Sequence, residues 1–320
     1  MEEKSQQQRR ALSIRWLRGE THPSDRLFKS VVSALGGLVV LLLVGIALQL
    51  VHASSSSLDA FGWDFIFGED WDPAKHEFGV LPFVFGTLLT SFIALLLATP
   101  IAMGSALFLS DFAPPWVTAP ADLLLEFLAA IPSVVYGLWG LFVLAPLMRD
   151  YVQPMLAQSN NTVPFFEGPQ LGLGVLTASL VVALMVLPTI TTVTKEVLRA
   201  VPNHLRESAW GLGATRWEAI RIAVLPSARS GILGGVVLGI GRALGETMAV
   251  TMVIGNQPEI SSSLFSSGAT MASVIASEFS HATVDLHISA LSEIGLLLFL
   301  LTLAFNIAAQ LLIGRVREVS

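Results

Sequence analysis

Six runs of 21 to 27 mostly apolar residues divide this chain, at 31–51, 83–109, 123–147, 171–193, 230–254 and 291–312. About twenty such residues in a helix cross the roughly 30 Å hydrocarbon core of a bilayer. Inside lipid the backbone must satisfy its own hydrogen bonds, so each crossing is a helix or part of a closed barrel. None of the runs alternates apolar with polar residues as barrel strands do. The expected fold is therefore an all-α polytopic membrane protein with about six transmembrane helices. The composition, 53% hydrophobic and 13% charged, falls in the same class. Pro100, Pro132 and Pro188 lie within or near these helices and should bend or interrupt them. A division near Pro100 would add one helix to the count. The organisation that follows is a tail over 1–30, a first helix over 31–51 and an outer loop over 52–82. A core over 83–316 then carries a basic loop at 195–229. The first run is too long, and its leader too long, for a cleaved signal peptide, so a retained helix is expected. With no cysteine, disulfides, thiolate metal sites and cysteine nucleophiles are excluded.

Lysine and arginine set the orientation. Fifteen lie in the tail, in the loop 194–229 and at Arg315 and Arg317, against Lys75 and Arg149 on the other side. Both termini and the basic loop are thus expected in the cytoplasm. Ala11, Leu12, Ile14, Trp16 and Leu17 interleave with the charges of the tail, which suits either a helix lying on lipid or a disordered positive tail. The outer loop holds Asp59, Asp64, Glu69, Asp70, Asp72 and Glu77 against Lys75 alone. It reads as a solvated loop rather than a carboxylate metal site. A net charge of −6 argues against a nucleic-acid partner; lipid is the expected surroundings.

Residues 207–226 form a polar, basic stretch between two apolar runs. Pro202 suits the first turn of a helix that continues through Arg206, Glu207 and Ala209. Gly211 and Gly213 break that helix cheaply. Thr215-Arg216-Trp217-Glu218 is a capping-box pattern that opens a second helix, which Pro226 should help to end. Trp210, Trp217 and Ile220 are left free to dock into a partner's groove. The plainer reading is an ordinary basic loop. Glu207, Ala209, Gly213, Leu225 and Pro226 fall at the spacing of E-A-A-x₃-G-x₉-I-x-L-P, and here the chain resembles the permeases of ABC importers. Ser208 and Ala223 depart from that pattern, both with small side chains. The resemblance implies a type I permease (MetI-like) fold and a coupling helix gripped by an ATPase subunit.

The fifth run carries Arg242 and Glu246 in otherwise apolar sequence. Arg242 lies about 20 Å along a helix from Arg229, too deep to reach the surface easily. At 100° per residue Gly235, Gly239, Arg242 and Glu246 fall within an arc of about 60°. Glycines admit a close neighbour, and a membrane-buried charge faces a partner or an aqueous path. On one reading Arg242 attracts an anion crossing the bilayer and Glu246 prevents its permanent capture. On the other the two form an (i, i+4) ion pair that locks helices together.

Gly239 to Ala249, containing Arg242-Ala243-Leu244-Gly245-Glu246-Thr247, looks like a helix of the phosphate-specific importer's permease subunits. Ala130-Ile131-Pro132-Ser133-Val134-Val135-Tyr136-Gly137 is similar to their mid-chain helix. The long first outer loop and overall length look like the PstC type of subunit rather than its sister type, PstA. The resemblance covers 31–315. It implies a bacterial inner-membrane permease for inorganic phosphate that works by alternating access, with Arg242 and Glu246 in the substrate pathway. It implies as partners the sister permease (PstA), two ATPase subunits (PstB) and a periplasmic phosphate-binding protein (PstS). No glycine precedes any of the lysines, so there is no G-K-[ST] phosphate loop. ATP and magnesium are then used by the ATPase, with no cofactor bound by this chain and no catalytic or metal-binding residue in it. Sulfate or another oxyanion, an ion-coupled secondary anion transporter, and a non-transporting phosphate-sensing scaffold are the alternatives.

Overall fold

The computed structural model describes residues 23–159 and 164–318. The possible surface helix of the tail, at residues 11–17, lies outside the described residues. The chain divides into two compact units, 1–52 and 53–320. The first contributes helix α1 (Pro23–Ala53), apolar enough to cross a membrane from Leu27 onward.

The second unit opens with two short helices, α2 (Ser55–Phe61) and α3 (Asp64–Phe67). A hairpin of β1 (Trp71–Asp72) and β2 (Glu77–Phe78) follows, pairing Trp71 with Phe78. The sequence expectation of a solvated loop is corrected here. Phe65, Phe78 and Val80 are buried in one cluster with Phe83, Met271, Leu291 and Ile294. The Trp71 indole donates to both carboxylate oxygens of Glu278, at 3.2 and 3.0 Å. Glu278 also meets His287 Nε2 at 2.9 Å. The aromatic residues among the acids were core rather than decoration. Among the described residues no group of acids and histidines could hold a metal ion.

Helix α4 (Leu81–Leu107) begins with Pro82 in its first turn and passes Pro100 unbroken. The break comes later, after a π turn over Phe108–Phe112, where Ala113 and Pro114 are extended. The third apolar run is not one straight span. Helix α5 (Pro115–Ala130) meets α6 (Ser133–Trp139) at a sharp corner, because Ile131, preceding Pro132, is held extended at ψ 127°. The line of α6 continues through α7 (Ala145–Leu147), α8 (Gln153–Ser159) and the π turns before each. The segments Pro115–Ala130 and Ser133–Ala157 are bent by 93°. Among the described residues, five helices are long and apolar enough to cross a membrane, or six when this bent pair is one span.

Helix α9 (Val175–Ala200) stands at the centre, with 67% of its most apolar window buried. Then come α10 (Asn203–Gly211), α11 (Arg216–Ala219), α12 (Leu225–Leu244), α13 (Met248–Val253), α14 (Met271–Glu278) and α15 (Asp285–Glu318). Ala94, Ala98 and Ala102, spaced one turn apart on α4, bring its backbone close to Ala178, Val182 and Val186 of α9. Small residues serve this purpose where lipid supplies no hydrophobic drive between helices. At the hairpin end α4 approaches the chain before α14 so closely that a Cβ on Gly86 would lie 2.1 Å from the carbonyl oxygen of Ala269. Gly86→Ala should therefore lower stability by about 1–3 kcal/mol, as overpacking of a close contact does. Thermal unfolding of the purified chain in detergent measures it, and an unchanged midpoint would show that the Ala269 backbone yields freely.

Candidate functional site

Two regions carry the residues picked out from sequence: the α10–α11 segment, and the contact between α9 and α12. The first follows its sequence signals closely at the start. Pro202 precedes α10 in an extended conformation, and Gly213 ends the turn after it with φ +87°. Thr215 Oγ1 accepts the amide of Glu218 at 3.4 Å, and the Glu218 carboxylate accepts the Thr215 amide and hydroxyl, each at 2.8 Å. The expected capping box is present.

Pro226 does not end the helix. Residues Arg216–Leu244 form one continuous span, because a π turn over Ile220–Val224 lies immediately before the proline. The Leu225 amide bonds back to the Ile220 carbonyl, and this widened turn accommodates a residue that has no amide to give. Leu225 and Pro226 are half-buried as a result. Glu207 and Gly213 are exposed, whereas Ala209 is 5% exposed and faces its own chain. Ile220, expected to be free, is 3% exposed and packs with Leu198, Val201 and Val224. The available apolar surface is instead Trp210, Leu212 and Trp217.

Sequence reasoning passed over two aspartates: Asp111, which holds this segment to the turn after α4, and Asp122, which joins α5 to α9. Arg206 gives Nε to Asp111 at 3.1 Å, and its two Nη groups to the carbonyls of Val201 and Leu198 at 2.8 Å. Both ionic side chains are largely buried, at 12% and 10% exposure. Lys195 was placed in the basic loop, but α9 runs on to Ala200 and buries it. Its ammonium lies 2.6 Å from Asp122 Oδ1 on α5. Neither aspartate could be singled out from sequence, since each acquires its meaning only from a cation more than seventy residues away.

The glycines of α12 meet α9 along its length. A Cβ on Gly231 would strike Val197 at 2.5 Å, one on Gly235 would press Val193 at 3.2 Å, and one on Gly239 would strike Ile190 at 2.7 Å. One turn on, Arg242 Nη1 donates to Thr189 Oγ1 at 3.1 Å. Glu246 leaves this face. Helix α12 stops at Leu244 and α13 starts at Met248, so the fifth run is two helices rather than one. Glu246 Oε1 accepts the Ala249 amide at 3.3 Å, in the first turn of α13. No ion pair joins Arg242 to Glu246 among the described residues, and the (i, i+4) lock is not formed. Arg242 is half-buried, with a threonine hydroxyl as its hydrogen-bond partner. A guanidinium so held has most of its planar fork of donors left for an anion. Thr189 also lines a cavity of about 480 Å³ with Asp122, Glu126, Thr192 and Lys195, which leads towards the basic end of α9.

Residues 98–318 match the family model of binding-protein-dependent transport system inner membrane components. The phosphate transport system permease protein PstC of Mesorhizobium japonicum is 44% identical over 92% of this chain and 91% of its own length. That of Haemophilus influenzae is also 44% identical, over 92% and 94%. The PstC 2 protein of Mycobacterium tuberculosis is 38% identical over 91% and 92%. Among solved structures, the MetNI methionine ABC transporter superposes with a TM-score of 0.55 at 17% identity, covering 74% of this chain and 95% of the other. A bacterial ABC transporter that imports alginate gives 0.54 at 17% identity, covering 91% and 99%. At such identities the likeness establishes the fold, the MetI-like arrangement of ABC importer permeases. The chain belongs to the family of binding-protein-dependent transport system inner membrane components, and its similar relatives there are phosphate transport system permease proteins of the PstC type.

Proposed function

We propose that this chain is a transmembrane permease subunit of an ATP-driven importer and carries inorganic phosphate across the bacterial inner membrane by alternating access. The observation that carries the reading is Arg242, in the last turn of an apolar helix, hydrogen-bonded to a hydroxyl and in no ion pair among the described residues. Burying a charge in a membrane costs at least about 2.5–3.5 kcal/mol on insertion scales, which implies a compensating role. An oxyanion is the natural counterpart of a guanidinium. The relatives' names supply the particular anion.

In this reading both termini and the α10–α11 segment lie in the cytoplasm, and the α2–β2 cap lies in the periplasm. A pair of ATPase subunits grips the exposed Glu207, Gly213, Trp210 and Trp217, and binds the ATP and magnesium that this chain does not. ATP draws the ATPase subunits together and moves α10 and α11. Through the Arg206–Asp111 and Lys195–Asp122 bridges that movement reaches α4, α5 and α9. With a sister permease opposite, the helices rock from inward-open to outward-open. A periplasmic phosphate-binding protein delivers the anion towards Arg242, and the cavity past Thr189 offers it hydroxyls on the way in. The test is ATP-dependent uptake of radiolabelled phosphate by proteoliposomes holding the two permeases and the ATPase, with the binding protein supplied. Uptake that survives ATP depletion, or that takes sulfate in preference, overturns the reading.

Glu246 contributes selectivity in the same scheme. At neutral pH phosphate carries a P–OH donor, and sulfate does not. Glu246 forms no ion pair among the described residues, so its carboxylate accepts that hydrogen bond and repels an anion lacking it. Glu246→Gln should relax the preference for phosphate over sulfate by roughly tenfold, the worth of one charge-assisted hydrogen bond at about 1.5 kcal/mol. Competitive uptake in vesicles measures the ratio, and an unchanged ratio would assign Glu246 to capping α13 alone.

A further inference from the structure

A second cavity, of about 300 Å³, opens on the basic side beneath the α10–α11 segment. Its lining carries Arg199 from the end of α9, Arg206 and Asn203 from α10, Arg216 from α11, and Asp111 from the turn after α4. Three guanidinium groups thus face one carboxylate. Arg206 is spoken for by Asp111 and by the Val201 and Leu198 carbonyls. Arg199 is only loosely held, 3.7 Å from Asp122 and 3.8 Å from Glu196, beyond hydrogen-bond length. Arg216 has no acceptor among the described residues. The nine-residue α10 also begins at this cavity, at Asn203, and no side chain caps its first amides. One guanidinium without an acceptor and a second held only by long ion pairs, beside an uncapped helix start, attract a multiply charged oxyanion, which can accept several hydrogen bonds at once.

We propose that this cavity binds a phosphate group, held by Arg199, Arg216 and the first amides of α10. The site is separate from Arg242 and rests on its own residues, whatever anion the chain transports. The group could come from free inorganic phosphate or from the headgroup of an anionic lipid, and both would sit in the same fork of donors. Occupancy would tie the end of α9 to both arms of the α10–α11 segment and so stiffen it against α4 and α9.

The chain contains no cysteine, so a single thiol can report on the cavity. Ser110→Cys, nearly isosteric, places one in the wall, and Trp210→Cys provides a second reporter should the first perturb the turn. The full chain is held in phosphatidylcholine nanodiscs, which leave both faces open, and the rate of maleimide labelling is followed. Millimolar inorganic phosphate should slow labelling severalfold relative to chloride at equal ionic strength if the free ion is the ligand. Nanodiscs enriched in phosphatidic acid should slow it without added phosphate if the headgroup is. The double variant Arg199→Gln/Arg216→Gln, on either reporter, should abolish the protection. Labelling indifferent to both sources overturns the proposal. So does protection that persists in the double variant, or that appears only when the ATPase is bound. Because the thiol reads the cavity itself, a chain that imports a different anion would still show the protection.

Discussion

Arg242→Gln should cut phosphate uptake by roughly ten- to a hundredfold while leaving membrane insertion and ATPase recruitment intact. The range is the loss of one charge-assisted interaction with the anion, about 1.5–3 kcal/mol. Among the described residues Arg242 makes a single side-chain hydrogen bond, to Thr189, and glutamine can still offer an amide donor there. The helix contact itself is made by Gly231, Gly235 and Gly239, none of which changes. Arg242→Lys keeps the charge and loses the planar fork, so intermediate uptake is expected. The double variant Arg242→Gln/Glu246→Gln separates attraction of an anion from an ion pair. Since no such pair is formed, removing the second charge should restore nothing. Full uptake in Arg242→Gln would take the residue out of the pathway, and rescue in the double variant would make it half of a pair after all.

The second large effect is expected at the turn between α10 and α11. Gly213 has φ +87°, where any side chain strains the backbone, by about 1–2 kcal/mol for most residues. A Cβ there would nevertheless meet nothing within 4 Å, so the fold has room for it. Gly213→Asp should accordingly insert normally and lose ATPase association or transport. It tilts the turn and adds a negative charge to the surface that carries Trp210, Leu212 and Trp217. Gly211→Asp provides the control, since that glycine is also exposed with open space around it but has no positive φ. Association lost in Gly213→Asp and kept in Gly211→Asp would place the effect in the turn. Loss in both would place it in the charge, and wild-type transport in Gly213→Asp would sink the coupling role.

Much of the architecture was legible because apolar length and cap chemistry act locally. The apolar runs became helices, and Thr215 and Glu218 built their box within four residues. The glycine face of α12 met α9 as its spacing implied. Proline was a sound guide at Pro132 and a poor one at Pro100 and Pro226. Pro100 bends nothing enough to break α4, Pro226 sits behind a widened turn, and Pro132 turns the chain through a corner. Whether a proline ends a helix depends on the turn before it, which sequence does not display. The break at Gly245 was hidden for a related reason. One glycine among alanine, leucine and glutamate is a weak stop, and the Arg242–Glu246 spacing reads as a pair only if the helix continues. Asp111 and Asp122 were invisible because their cations arrive from elsewhere in the chain.

The cap formed by α2, α3 and the hairpin has a consequence for biogenesis. The amide of Ser57 is bonded to Ser289 Oγ, 232 residues later, and Trp71 to Glu278, 207 residues later. When residues 55–80 leave the insertion machinery, the partners that will bury Phe65 and Phe78 do not yet exist. The nascent chain must carry this aromatic segment unfolded through the synthesis of the following helices, at about 5–20 residues per second. Such non-local pairing is slow to form once it becomes available. The cap is thus the closing step of maturation, and a ribosome stalled before α15 would leave it open to proteases on a chain whose helices were otherwise in place.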